Sequence, residues 1–156
     1  ASRPAGPRAP KTESKGAPRA ETKPVQTPRI AVDPLIDPNS LLARRRVYYD
    51  FDKSDIRDQD KPLIQAHGGY LAGHRTAKVR IEGNCDERGS REYNLALGSR
   101  RAHAVKRALE VAGADSSRIV ATSFGAEKPV APGKDEASYS RNRRADTVYV
   151  AIDLRT

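Results

Sequence analysis

Eight of the eleven prolines fall within the first 46 residues, and that asymmetry limits the fold more than any other feature of the chain. Proline lacks an amide N–H and fixes its own φ, so a segment rich in it builds neither long helices nor interior strands. Ala1 to Arg46 also holds a single aliphatic cluster, Leu35, Ile36, Leu41 and Leu42. With so little to bury, this segment is expected to behave as a Pro-rich linker. From Val47 onward apolar and polar residues alternate in readable periods. We therefore expect a flexible basic arm over residues 1–43 and one folded domain over residues 44–156. The turn-rich run DPLIDPNS, Asp33 to Ser40, is expected to dock near the domain edge.

Charge divides in the same way. The first 46 residues carry ten Lys and Arg against four Asp and Glu, and the other 110 carry 19 against 16. A nucleic-acid binder is expected to show a basic stripe on its folded part. This domain is nearly balanced, so nucleic acid is not expected as a partner. The arm could still approach an anionic surface such as lipid headgroups or an acidic polysaccharide. Cys85 is the single cysteine, so no intrachain disulfide can form, and the compartment stays open on that criterion. No apolar run approaches the ~18 residues of a membrane span. The chain opens at Ala1 directly into a Pro/Ala/Arg/Lys segment with no signal peptide, so an exported protein is expected to be in processed form.

The periods of the domain define its elements. Arg46 to Phe51 (RVYYDF) is predicted as a strand by its β-branched and aromatic content. Asp58 and Asp60 ahead of Pro62 mark a helix start, and that helix is predicted to run to about Ala72. Leu63, Ile64, Ala66, His67 and Leu71 supply its apolar side, and Gly68-Gly69 weaken it without ending it. Thr76 to Gly83 alternates, with Ala77, Val79 and Ile81 on one face and Lys78, Arg80 and Glu82 on the other, as a strand requires. A loop follows from Asn84 to Ser90, then a long helix from Glu92 to Ala112 closed by Gly113. Arg118 to Phe124 is predicted as a strand, Ala126 to Ser140 as a loop with two prolines, and Thr147 to Asp153 as a last strand. The order β-α-β-α-β-β predicts an α+β two-layer sandwich, with helices packed on one face of a mixed sheet. Right-handed crossovers make the strands joined by helices parallel. Ligands of such sheets bind beyond the carboxyl ends of strands. The segments Asp52 to Arg57 and Asn84 to Ser90 lie there.

The long helix carries the sharpest chemical signal. At about 100° per residue, Leu97, Ala104, Val105, Ala108 and Leu109 form one core-facing stripe, and Arg101 and Asn94 fall inside it. Arg100 and Lys106 lie elsewhere, as solvated charges should. An arginine on a buried stripe must find an anion or bear a large desolvation cost. Two compatible readings follow. Arg101 forms an internal ion pair with a loop carboxylate such as Asp86, or it faces a polar pocket at the strand-end rim. The loop NCDERGSREYN supplies Asp86 and Glu87, with Gly89 for a tight turn. A carboxylate and a guanidinium across a small cavity suit a zwitterion: Asp accepts from an ammonium while Arg forks onto a carboxylate.

Catalysis finds no such support. His67, His74 and His103 show no metal-ligand spacing, and His103 is expected to be exposed. No HExxH, GxSxG, Walker or GxGxxG pattern is present. Cys85, beside Asp86 and Arg88, has no evident base. Neither enzymatic activity, nor a metal, nor a cofactor is expected.

The string RIEGNCDERGSREYNLALGSRRAHAVKRAL resembles the signature of the outer-membrane protein A-like peptidoglycan-binding family, and within it the lipoprotein branch of the Tol-Pal system. Three further stretches agree: VYYDFDKSDIR, SFGAEKPVAPGKDEASYSRNRRADTVYV and DPLIDPNS, so the resemblance covers roughly Asp33 to Val150. It implies non-covalent binding of the peptide stem of peptidoglycan through meso-diaminopimelate. By resemblance Asp86 and Arg101 clamp the zwitterionic end, Asn94 hydrogen-bonds the ligand, and Arg143 is a further binding arginine. Asp52 matches a polar position that is often Asn or Asp. Cys85 departs from the family, where Thr or Ala is more usual. The resemblance also implies a periplasmic domain held to the outer membrane by an N-terminal lipid, with peptidoglycan and Tol-system proteins of the TolB-like kind as partners in envelope integrity and cell division. The lipid-bearing cysteine of that branch is absent from this chain. Alternatives are the same fold as the wall anchor of a porin or of a motor stator, and polyanion binding by the basic arm.

Overall fold

A computed structural model describes residues 33–151, so the expected arm ahead of residue 33 and the end of the predicted last strand lie outside the described residues. Four strands and three helices alternate: β1 (Arg46–Tyr48), α1 (Lys61–Gly73), β2 (Lys78–Asn84), α2 (Arg91–Val111), β3 (Ile119–Gly125), α3 (Glu136–Asn142) and β4 (Arg144–Ala151). The strands form one sheet in the order β1-β4-β2-β3. β2 and β3 are parallel, while β4 runs antiparallel to both β1 and β2. The α+β class and the mixed sheet are as expected.

Local chemistry accounts for the element ends. Asp58–Asp60 forms a short 3-10 turn, and α1 follows with proline in its first turn, where a missing N–H costs nothing. The Ser90 side chain caps α2 by accepting from Tyr93 N at 3.0 Å. Gly113, at φ 115, ends it in the left-handed region. Gly68 and Gly69 sit inside α1 without breaking it.

Three differences from expectation bear on the site. The first strand stops at Tyr48 rather than Phe51, and Phe51 is 57% exposed. The segment read as a loop from Ala126 to Ser140 contains most of α3, whose N-cap Asp135 accepts from Ser138 N. β4 begins at Arg144 rather than Thr147, because Arg144 pairs with both Tyr48 and Asn84.

The core lies between the sheet and the helices α1 and α2. It is built from Val47, Tyr49, Leu63, Ile64, Leu71, Val79, Ile81, Val105 and Leu109. Leu35 and Leu42, ahead of the expected boundary at residue 44, are buried in the same cluster. The inward residues of β2 are buried as its alternation requires. On its other face Glu82 is only 3% exposed, although the alternation placed it outward. Arg80 at 2.7 Å and Lys128 at 3.2 Å neutralise it there. α2 approaches β2 closely enough that a Cβ on Gly83 would overlap the Gly98 carbonyl. This contact seats the amino-terminal half of α2 against the carboxyl end of β2.

Candidate functional site

The close seating of α2 opens a small cavity at the strand ends. It encloses about 170 Å³ and is lined by Phe51, Asp52, Cys85, Asp86, Arg88, Gly89, Tyr93, Asn94, Leu97, Arg101 and Arg143. All five residues expected to bind a ligand, Asp52, Asp86, Asn94, Arg101 and Arg143, line this one space. They come from five separate places in the chain: the turn after β1, the loop after β2, two turns of α2, and the junction of α3 with β4.

Arg101 is fully buried on the inner side of α2. It lines the polar cavity, but its partner is not the loop carboxylate that the sequence offered. The guanidinium donates to three backbone carbonyls: Nε to Lys53 O at 2.8 Å, Nη1 to Asn84 O at 2.9 Å and Nη2 to Asp50 O at 3.2 Å. It also lies 5.0 Å from the centre of the Tyr49 ring. The expected internal ion pair of Arg101 with Asp86 is therefore not formed. Carbonyl dipoles do the work of a counter-ion, and they leave two of the five guanidinium N–H groups unused by these bonds. Burial pushes the pKa of Arg101 below its ordinary value, while neighbours including Asp86 oppose the shift. Arginine stays charged through such a shift.

Asp86 is held by other arginines. Arg88 donates to it from its backbone N at 3.0 Å, from Nε at 3.2 Å and from Nη2 at 2.8 Å, and Arg143 Nη1 stands at 3.5 Å. Burial alone would raise the Asp86 pKa, but the Arg88 and Arg143 hydrogen bonds outweigh it and hold the carboxyl below its ordinary value. Four donors address about four acceptor positions on this carboxylate. The contact to Arg143 is the longest of them and the easiest for an ammonium to replace. Arg143, buried at the C-cap of α3, keeps itself in place by bonding Tyr49 O at 2.9 Å and Glu136 Oε2 at 2.7 Å.

Asp52 differs from Asp86 in both backbone and surroundings. It sits at φ 59, the left-handed region that aspartate tolerates better than most residues. It is exposed and makes no ion pair among the described residues, so its oxygens are open at the rim. Asn94 is 3% exposed in the first turns of α2, and its carbonyl accepts from Cys85 Sγ at 3.2 Å. Burial pushes the Cys85 thiol up, which makes it a small packing residue rather than a nucleophile.

One neighbour was missed in the sequence. Arg88 holds Asp86 while its guanidinium lies 4.3 Å from the ring centres of both Phe51 and Tyr139. Tyr139 belongs to α3, which the sequence reading left as loop, so no periodicity pointed to this stack. Among the three histidines, His67 is buried while His103 is exposed as expected. No group of three or more His, Cys, Asp or Glu among the described residues could hold a metal ion.

The β-α-β-α-β-α-β frame is shared with a known group of proteins. The sequence matches the OmpA family over residues 48–143, and the chain belongs to that family. Within it the similarity runs to peptidoglycan-associated lipoproteins. The chain is 50% identical over 103 residues to the peptidoglycan-associated lipoprotein of Haemophilus influenzae, covering 66% of this chain and 67% of that protein. It is 47% identical over 103 residues to that of Pasteurella multocida, covering 66% and 69%. The crystal structure of the peptidoglycan-associated lipoprotein from Burkholderia pseudomallei matches with a TM-score of 0.75 at 55% identity, covering 76% of this chain and 100% of that one. The C-terminal domain of Helicobacter pylori MotB, with a TM-score of 0.63 at 16% identity over 69% of this chain and 84% of that one, shares the fold alone.

Proposed function

We propose that this domain binds the peptide stem of peptidoglycan, non-covalently, by gripping the zwitterionic end of meso-diaminopimelate, and so tethers the outer membrane to the cell wall from the periplasmic side. The observation that carries this reading is the convergence of Asp52, Asp86, Asn94, Arg101 and Arg143 on one cavity of about 170 Å³. That space suits one amino-acid terminus on a short methylene stem. Arg101 offers its two remaining N–H groups to the carboxylate. Asp86, releasing its long contact to Arg143, and the open oxygens of Asp52 accept from the ammonium. Asn94 supplies neutral donors and acceptors between them. Nothing in this scheme needs a nucleophile, a metal or a redox group, in keeping with a non-enzymatic binding role.

The similarity to peptidoglycan-associated lipoproteins supports the wider setting of the proposal. The full-length protein would be held in the outer membrane by an N-terminal lipid, with the Pro-rich arm spanning the distance to the wall. TolB-like proteins of the Tol-Pal system would be its protein partners during envelope constriction and cell division. Diaminopimelate distinguishes this reading from general attraction to polyanions, because a lysine stem lacks only the second carboxylate. Calorimetric titration of the chain with L-Ala-γ-D-Glu-meso-diaminopimelate should show binding at least about tenfold tighter than with the lysine analogue, the worth of one charge-assisted forked contact. Equal affinity for the two peptides, or no binding of either, would overturn the proposal.

A further inference from the structure

Arg88 stands at the mouth of the cavity in a setting that pairing with Asp86 does not explain. One edge of its guanidinium is committed to Asp86 through Nε and Nη2. Its Cζ lies over the rings of both Phe51 and Tyr139, 4.3 Å from each ring centre. Glu136 Oε1 is 3.9 Å from Nη2, beyond a direct hydrogen bond. Nη1, at the remaining edge, has no hydrogen-bond partner among the described residues, and the side chain is 39% exposed. Phe51 is 57% exposed and lies outside the core, where it lines the cavity and packs against Arg88. A guanidinium packed over two aromatic rings and bonded along one edge has already lost much of the rotamer freedom that an arginine ordinarily gives up on binding. Its free edge therefore forms a pre-set donor pair for an anion just outside the cavity.

We propose that Arg88 is a second carboxylate-reading point, which takes a free carboxylate of the ligand lying outside the cavity while the zwitterion occupies its interior. The inference rests on the stem-peptide reading above and adds a specificity that this reading lacks. Two carboxylates of a stem peptide lie close enough in the covalent chain to reach the mouth. One is the α-carboxylate of the γ-linked D-glutamyl residue, left free because that residue is joined through its side chain. The other is the C-terminal carboxylate of diaminopimelate itself. A carboxamide at either place keeps the shape and removes the charge, so the ligand can be altered without touching the protein.

The test uses four tripeptides titrated into the chain: the unmodified diaminopimelate stem, its D-isoglutamine form, its C-terminal amide, and the lysine stem. The expected result is an affinity about tenfold lower for one of the two amides, which identifies the carboxylate involved. In the R88Q variant the unmodified stem and that amide should bind with nearly equal affinity. A merely structural role in holding Asp86 would weaken all ligands alike and leave their ratio unchanged. F51L keeps the charge but removes one stacking face, and it should lower the ratio in part, which keeps the test decisive if R88Q fails to fold. Wild-type protein that binds both amides as well as the unmodified stem overturns the assignment of Arg88, as does an R88Q variant that keeps the full preference. Failure to distinguish diaminopimelate from lysine counts instead against the stem-peptide reading.

Discussion

At position 101 a full positive charge sits at 0% exposure with no carboxylate paired to it among the described residues. It survives because three carbonyl oxygens, on Asp50, Lys53 and Asn84, converge on it. In return the guanidinium pins the turn after β1 to the end of β2 and to α2, the three walls of the cavity. Arg101 is thus part of the frame as well as of the grip. Arg101→Leu would fill similar space and leave those carbonyls without their donor, at a cost of about 3–5 kcal/mol. Urea unfolding of the purified variant measures it, and a loss under about 1 kcal/mol would show that water replaces the guanidinium easily. The position of Arg101 was legible in the sequence because the apolar stripe of α2 passes through it. Its partners were not, since they are backbone carbonyls and every residue carries one. The commitment of Asp86 to Arg88 was hidden for a related reason: an Asp-x-Arg loop has no period to reveal it.

Among the elements, α2 and β2 set the site, and their contact is a glycine pair. A Cβ on Gly83 would overlap the Gly98 carbonyl, and one on Gly98 would overlap Ser123 Oγ. Gly83→Ala must push helix from sheet by backbone movement, so it should destabilise by about 3 kcal/mol and open the cavity. Gly69, in the exposed middle of α1, has nothing within 4 Å of an added Cβ. There alanine should stabilise by roughly 0.5–1 kcal/mol through helix propensity and loss of unfolded-state freedom. Thermal melts of the two variants should move in opposite directions; a rise for Gly83→Ala would mean that propensity rather than packing decides there, and a drop for Gly69→Ala would overturn the open-space reading at that position. The alternation of β2 and the stripe of α2 showed both elements in the sequence, because each is long enough for its period to repeat. The seven residues of α3 are too few to establish a period, and prolines at 129 and 132 masked its start. The glycine pair was equally silent, since a glycine in a strand or a helix reads only as a weak point until its neighbour across the layer is known.

For the molecule as a whole, the folded unit begins earlier than its composition implied. Pro34 and Pro38 gave residues 33–40 the look of linker. Yet Asp33 and Asp37 each accept from the backbone two residues on, at 2.8 and 2.9 Å, and the turns so formed place Leu35 in the core. A polar seam then ties this leading segment to helix and sheet. His67 of α1 bonds Arg44 O at 2.9 Å and the Tyr149 hydroxyl of β4 at 2.7 Å, while Tyr70 of α1 donates to Asp33 at 3.3 Å. A carbonyl can only accept, so Nε2 of His67 carries the proton and Nδ1 accepts from Tyr149. Protonation of Nδ1 would remove that acceptor and place a charge in the interior beside Arg45. Burial accordingly pushes the His67 pKa below its ordinary value, with Arg45 adding to the shift. Below about pH 6.5 the unfolded chain takes up this proton and the folded one resists it, so stability falls as pH drops from there toward the folded pKa. Asp86 and Glu82 are held below their ordinary values, and their contribution is lost only at more acidic pH. The unfolding free energy from urea titrations between pH 7.5 and 5.5 should therefore decline, by up to about 1.4 kcal/mol per pH unit for one proton. His67→Gln should be less stable at pH 7.5 but should lose this slope. Parallel slopes for variant and wild type would place the acid sensitivity outside the seam.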